Sequence, residues 1–303
     1  MKWNELKLNR KKMACSDSKK LIFILVGDSD ISRWPSSEMP SLVDHSVMKH
    51  HNFKQPIFSN YSKSGELLQN VPSQVAKALK DLKGGRKKSK SKRKQSLGRQ
   101  KHNHHHDHDH DVQHEHPSIF FIACAGENDL SSGFSVDTVV HSFHKLVDSI
   151  FSDSNCHDRP HLIFFGPKLE PWLNDNDNEE MRKFYYQLNE RLIISSSNCA
   201  RDVTIDHSAK EGQNHHCHSD GKNVSYIDSL TLFCGQSANE RGSVLSGKAK
   251  ADETYFDVDG LHLNQEGYKV WKQELERTLE QILCSERCVH SLDMSHGNKV
   301  VLD

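Results

Sequence analysis

The chain of 303 residues lacks the features that mark membrane proteins and zinc-finger proteins. No run approaches the roughly 18 consecutive apolar residues needed to cross a bilayer, so no membrane span is expected. The basic N-terminus has neither the apolar core nor the cleavage site of a signal peptide. The eight cysteines show no metal-finger spacing, so we expect free thiols in a reducing, cytoplasmic location. The formal net charge is only -1, which excludes strong overall attraction to nucleic acid.

Apolar residues are also scarce, at 35% of the chain with a mean hydropathy of -0.73. Much of this scarcity comes from residues 84–116. Nine of residues 86–101 are Lys or Arg, and residues 102–116 hold eight His and four acidic side chains. Such a segment cannot bury a core, which predicts a disordered, Lys/Arg- and His-rich insertion. Adventitious binding of a divalent metal by its histidines is one interpretation, and no nucleic-acid partner is expected.

Against this background, residues 21–26 form a continuous apolar run followed at once by Gly27-Asp28-Ser29. Runs of this kind are typical of central strands in parallel sheets that are covered on both faces. Further strands are predicted at 56–61, 118–125, 161–167 and 223–228, and helices at 71–82, 136–151, 178–194 and 264–283. This alternation predicts one α/β domain over 21–283 with about five parallel strands. A flexible segment at 1–20 and a tail at 284–303 are expected to flank it.

Polar segments follow the first three predicted strands, and a fourth precedes the last helix. They are Gly27-Asp28-Ser29, Ser64-Gly65, Gly126-Glu127-Asn128-Asp129 and Asp259-Gly260-Leu261-His262. Because parallel strands end at the same edge of a sheet, the first three segments are expected to meet there. A serine in such a place is either a helix N-cap or a nucleophile.

The residues that acyl transfer requires are all present in these segments. Ser29 would attack the carbonyl carbon, and His262 would take its proton and later return it to the leaving alkoxide. Asp259 would orient the imidazole, since its position favours it over Asp257, a second carboxylate that we interpret as a surface residue. The N–H groups of Ser29 and Gly65 and the side-chain amide of Asn128 would bind the oxyanion.

These four blocks, in this order, resemble the SGNH hydrolases, also called GDSL esterases and lipases. The family's Ser, Gly, Asn and His are matched by Ser29, Gly65, Asn128 and His262, and Asp259 matches the aspartate of its D-x-x-H block. The resemblance implies a three-layer α/β/α sandwich of flavodoxin-like topology with a five-stranded parallel sheet. It also implies hydrolysis of small-molecule esters by an acyl-enzyme mechanism, with no metal and no cofactor.

Some residues depart from the family's pattern or have no assigned part in it. Asp30 stands where an apolar residue often follows Gly-Asp-Ser, and we expect only a local packing difference. Glu127 and Asp129 are interpreted as solvated residues or caps of the next helix. For Trp34 and Tyr61, lining of the acyl pocket and simple packing both stay open.

Two alternatives to an esterase remain at this point. An acyltransferase would use the same residues with an alcohol in place of water. A non-catalytic metal-binding or scaffolding protein on the same fold is suggested by the histidines at 102–116 and 214–218. The sequence does not indicate the acyl chain length, the alcohol, the oligomeric state or the role of the insertion.

Overall fold

The computed structural model describes residues 20–35, 56–96, 117–152, 160–201, 222–234 and 249–293. Residues 1–19 of the predicted N-terminal segment and the whole histidine-rich run at 102–116 therefore lie outside the described residues. Elements are labelled below in chain order within the described ranges. In those ranges no helix is both long and apolar enough to span a membrane.

Five parallel strands form the central sheet, as the apolar runs predict. The strands are β1 (Leu21–Gly27), β2 (Ile57–Asn60), β3 (Ser118–Cys124), β4 (His161–Phe165) and β5 (Asn223–Ile227). Their spatial order is β2-β1-β3-β4-β5, which is the flavodoxin-like order. In this order the direction of winding changes between β1 and β3, where ligands usually bind in such sheets. Ser29 and Asn128 follow these two strands.

Helices connect and cover the strands. They are α1 (Ser29–Arg33), α2 (Val71–Ser96), α3 (Glu127–Ser131), α4 (Val136–Phe151), α5 (Glu179–Arg201), α6 (Ser229–Leu232) and α7 (Gln265–Asp293). Helix α4 has the predicted bounds. Helix α7 begins after Asn264, whose side-chain oxygen accepts hydrogen bonds from the N–H groups of Glu266 and Gly267, as expected of an N-cap.

Adjacent residues of β4 show that both faces of the sheet are covered. Phe164 packs edge-on against Phe143 of α4, with ring centroids 5.0 Å apart. Phe165 points the other way and lies 4.5 Å from Trp271 of α7, measured between ring centroids. Successive side chains of a strand alternate between faces, so α4 and α7 belong to opposite layers. The three-layer α/β/α arrangement is confirmed.

The turn from β1 into α1 requires a glycine. Gly27 has φ +129, and a Cβ atom placed on it would lie 2.1 Å from the carbonyl oxygen of Cys124. No other residue fits between β1 and β3 at this point. The close approach lets the N–H of Asp28 donate to the same carbonyl oxygen at 3.1 Å, which fixes the backbone just before Ser29.

Two predicted boundaries differ from the structure. Helix α2 runs on to Ser96, so residues 84–96 continue a helix where the composition predicted disorder. Lysine and arginine are good helix formers, so this composition is compatible with a helix. Helix α7 likewise extends to Asp293, beyond the predicted start of the tail at residue 284. Residues 97–116 lie outside the described residues.

Candidate active site

Ser29 is the first residue of α1 and lies directly after β1, with its side chain half-buried. The Asp28 carboxylate accepts a hydrogen bond from the N–H of Asp30 at 3.1 Å and so caps the helix. The side-chain amide of Gln74 in α2 hydrogen-bonds both backbone polar groups of Gly27. Its Oε1 accepts from the N–H of Gly27 at 2.7 Å, and its Nε2 donates to the Gly27 carbonyl oxygen at 3.1 Å. The sequence does not indicate this pair of hydrogen bonds, because Gln74 is an ordinary polar residue in a helical pattern.

Asp259 and His262 are in direct contact. Oδ2 of Asp259 lies 2.7 Å from Nδ1 of His262, and Oδ1 accepts hydrogen bonds from the N–H groups of Leu261 and His262. Burial alone would raise the pKa of Asp259, but the hydrogen bonds from His262 and Leu261 hold it well below its usual range. Asp259 is therefore ionised and can only accept.

The ionised Asp259 determines which nitrogen of the His262 ring carries the proton. Since the carboxylate has no hydrogen to donate, Nδ1 donates to it and Nε2 keeps a free lone pair. A neutral imidazole in this tautomer can act as a base through Nε2. Asp257, the other carboxylate of this loop, is exposed and donates its backbone N–H to the carbonyl oxygen of His262.

Asn128 lies in α3, immediately after β3, and reaches the loop that contains Gly65. Its Nδ2 donates to the carbonyl oxygen of Glu66 at 3.2 Å. The adjacent Asp129 accepts a hydrogen bond from the N–H of Leu68 at 2.8 Å, which ties the same two segments together again. Gly65 is exposed, with φ +71, and a Cβ atom on it would meet nothing within 4 Å. The structure thus places Asn128 beside the Gly65 loop.

The segment with Ser29 is joined to the segment with His262 by two contacts. Nη1 of Arg33 lies 3.7 Å from Oδ2 of Asp259, and the hydroxyl of Tyr268 donates to the carbonyl oxygen of Asp30 at 2.9 Å. Arg33 follows Ser29 by four residues, so the two side chains share one face of α1. No hydrogen bond joins Ser29 to His262 within the described residues.

A buried ionic cluster lies next to these segments. The ammonium of Lys168, 1% exposed, contacts Asp30 at 2.7 Å, Glu127 at 2.6 Å and Glu170 at 3.0 Å. The other oxygen of Glu127 accepts from the N–H of Lys168 at 2.6 Å. A lysine has three N–H donors, and each finds a carboxyl group here. Asp30 and Glu127 are therefore buried partners of a lysine. This corrects two expectations: Asp30 makes more than a local packing difference, and Glu127 is neither solvated nor a helix cap.

Burial of several acids beside one lysine changes which of them are charged. Desolvation by burial, together with the charges of Asp30 and Glu127, raises the pKa of Asp28 well above its ordinary value. Burial raises the pKa of Glu127 to about 8, although Lys168 opposes the shift. The pKa of Lys168 is raised because its acidic neighbours outweigh its own desolvation. With a pKa of about 8, Glu127 retains its carboxyl proton at neutral pH.

The remaining unassigned residues also have definite surroundings. Asp129 is buried and binds the Leu68 N–H, so it is neither solvated nor a cap of the next long helix. Trp34 is 4% exposed and packs against Phe165 and Trp271, so it belongs to the core. The hydroxyl of Tyr61 donates to Asp81 at 3.1 Å on the surface.

One group of side chains in the described ranges has the spacing of metal ligands. Oxygen atoms of Asp28, Asp30 and Glu127 lie within 4.8 Å of one another. The ammonium of Lys168 already contacts two of the three acids and supplies the positive charge that a cation would bring. The histidines at 102–116 and 214–218 lie outside the described residues, so the metal interpretation of those runs stays a prediction.

The raised pKa of Glu127 gives a pH-dependent stability. Between about 4.5 and about 8, the folded protein holds a proton on Glu127 that the unfolded chain has lost, so stability must fall as the pH rises. We expect the free energy of unfolding of wild type, relative to Glu127→Gln, to decrease across this window by at most about 1.4 kcal/mol per pH unit. Chemical denaturation at several pH values measures this decrease.

Glu266→Gln is the control: it removes a surface ion pair with Lys269 and should show no such trend. A constant difference between wild type and Glu127→Gln would contradict the assignment.

Known proteins were compared with this chain by sequence and by structure. No protein-family model and no curated protein matches the sequence. Among solved structures, a carbohydrate esterase of family 3 from Talaromyces cellulolyticus matches 88% of this chain and 99% of its own, with 11% identity and a TM-score of 0.50. An acylhydrolase from Bacteroides fragilis matches 93% of this chain and 100% of its own, with 13% identity and a TM-score of 0.49. A GDSL-like lipase from Bacteroides thetaiotaomicron matches 86% of this chain and 88% of its own, with 10% identity and a TM-score of 0.48.

The similarity to the Talaromyces esterase extends over nearly the whole of both chains and concerns the fold. The fold that the predicted resemblance implies is confirmed: the chain has a three-layer α/β/α fold with a five-stranded parallel sheet, and the Talaromyces esterase has a similar fold. A fold shared at 11% identity does not assign a reaction, so function has to be argued from the site.

Proposed function

We propose that this protein is a serine-dependent hydrolase of carboxylic esters, with one catalytic domain over residues 21–283. Ser29 is the nucleophile, His262 the general base and Asp259 the residue that orients it. The observation that carries the proposal is the contact between Asp259 and His262 at 2.7 Å, on a loop that Arg33 links to the helix of Ser29. The Talaromyces esterase, which has a similar fold, supports it as an analogy.

In the first half of the reaction, Ser29 Oγ attacks the ester carbonyl carbon while its proton passes to Nε2 of His262. The imidazolium that forms is stabilised by the ionised Asp259, which contacts the other ring nitrogen. Collapse of the tetrahedral intermediate breaks the bond to the alcohol oxygen, and His262 returns the proton to this leaving group. The acyl group remains on Ser29. Water then repeats the sequence and releases the carboxylic acid.

The negative oxygen of the intermediate needs hydrogen-bond donors that are already in place. Asn128 is a suitable donor because its amide lies beside the Gly65 loop, where Nδ2 contacts the Glu66 carbonyl at 3.2 Å. The backbone N–H groups of Ser29 and Gly65 complete the proposed oxyanion hole. The open space around Gly65 leaves its peptide group accessible to a substrate oxygen.

Nitrophenyl esters of increasing acyl length provide the assay for this activity, and two aspartates of one loop provide a matched pair of variants. Asp259→Asn should lower kcat on the order of 10^4-fold, because the neutral amide no longer fixes the productive tautomer of His262. Asp257→Asn changes an exposed side chain nearby and should leave kcat close to wild type. Equal losses in the two variants would contradict the role of Asp259, and a wild type inactive on all the esters would contradict ester hydrolysis.

A further inference from the structure

Lys168 is a buried lysine that the proposed mechanism does not use. It follows β4 by three residues and lies within the sheet edge at which β1 and β3 also end. Its side chain is 1% exposed, and its three ammonium contacts are all with acids. A lysine removed from water in this way needs all of its donors satisfied, so its surroundings are tightly specified.

Two of these acids are the chain neighbours of proposed catalytic residues. Asp30, which contacts Nζ of Lys168 at 2.7 Å, directly follows Ser29. Glu127, which contacts the same Nζ at 2.6 Å and the N–H of Lys168 at 2.6 Å, directly precedes Asn128. One ammonium group therefore joins the start of α1 to the start of α3.

The third contact holds the lysine itself in place. Glu170 contacts Nζ with one oxygen, and its other oxygen accepts hydrogen bonds from Trp172 Nε1 at 2.6 Å and from the Tyr185 hydroxyl at 3.2 Å. Tyr185 belongs to α5 and is fully buried. The ammonium is thereby fixed to a rigid layer of the fold rather than only to the two short helices.

We propose that Lys168 is a positioning residue that keeps Ser29 and Asn128 at a constant separation, so that the nucleophile and the oxyanion amide act on the same carbonyl group. The inference rests on the proposed function. Helices α1 and α3 have five residues each and few internal hydrogen bonds, so their starts depend on such contacts for a fixed position. Misplacement of a catalytic group by about 1 Å can cost on the order of 10^2-fold in rate.

If Lys168 had only a structural role, its substitution would have different effects. Removing it would lower stability without a specific loss of kcat, and substitutions of Asp30 and Glu127 would act independently of each other. If Lys168 couples the positions of α1 and α3, a substitution of Asp30 must shift Asn128, and it must do so only while Lys168 is present.

The test is a double-mutant cycle of Asp30→Asn and Glu127→Gln, made once in the wild-type background and once with Lys168→Met. We expect Lys168→Met alone to lower kcat on the order of 10^2-fold, with KM nearly unchanged. The two acid substitutions should be non-additive in kcat when Lys168 is present and additive when it is absent. Lys222→Met removes a surface ion pair with Asp148 and serves as the control, with kcat close to wild type.

Hydrogen exchange of backbone amides in the same variants gives a readout that does not need esterase activity. Asp30→Asn should speed exchange in residues 127–131, and Glu127→Gln should speed it in residues 28–33, with neither cross effect in the Lys168→Met background. Exchange in α4 should not change. If wild type hydrolyses no ester but these cross effects appear, the proposed function fails and the coupling by Lys168 stands.

Additive effects on kcat in both backgrounds, or no cross effect on exchange in the wild-type background, would overturn the inference. If Lys168→Met does not fold, the cross effects of the two acid variants on exchange decide the matter alone. Lys168→Arg, which keeps the charge but changes the length and shape of the side chain, then replaces it in the kinetic cycle.

Discussion

Replacing Ser29 by alanine is expected to lower kcat for ester hydrolysis by about 10^6-fold, the loss found when the nucleophile of a serine protease is removed. The loss is this large because no acyl-enzyme can form without the Ser29 hydroxyl. Stability should change little, since the side chain is half-buried and the cap of α1 is supplied by Asp28. Kinetics with a nitrophenyl ester and thermal unfolding of the same samples measure both quantities.

Ser32→Ala is a suitable control for this variant. Ser32 lies in the same helix, and its hydroxyl donates to the carbonyl oxygen of Ser29 at 2.9 Å. Its removal takes away one hydroxyl and one local hydrogen bond, but not the proposed nucleophile, so turnover should persist. Turnover of the Ser29→Ala protein at the rate of wild type would contradict the assignment of Ser29 as the nucleophile.

His262→Ala is the second substitution with a very large expected effect. Nucleophile and base act as one unit, so the loss in kcat should again be about 10^6-fold, and the Ser29→Ala/His262→Ala double variant should be no slower than either single variant. His141→Ala, which removes an exposed histidine of α4, provides the matched control and should keep full activity. A double variant whose loss is the product of the two single losses would show that the residues act in separate steps.

The sheet and the order of the site segments could be predicted because their signals are local. The six apolar residues before Gly27 have only one plausible place in an α/β protein, the middle of a covered sheet. Gly-Asp-Ser and Asp-x-x-His each occupy consecutive positions, and the contact between Asp259 and His262 follows from their spacing of three residues.

The ionic cluster could not be predicted, because its members are distant in the sequence. Asp30 and Glu127 look like ordinary surface acids, and nothing in the sequence around Lys168 indicates a buried lysine. Their burial depends on three strand ends meeting at one edge, so the pairing appears only in three dimensions. The length of α2 could not be predicted either, because a lysine-rich composition is typical of disordered segments although lysine also favours helices.

The measurement that tests the central claim most directly is the location of a covalent adduct. Wild type is incubated with an alkyl fluorophosphonate, which forms a stable bond with an activated serine hydroxyl, and the modified peptide is sequenced by mass spectrometry. The account predicts one phosphonate on Ser29 in wild type, and none at that position in His262→Ala during the same incubation. A phosphonate on a different serine, or equal modification of Ser29 without His262, would contradict it.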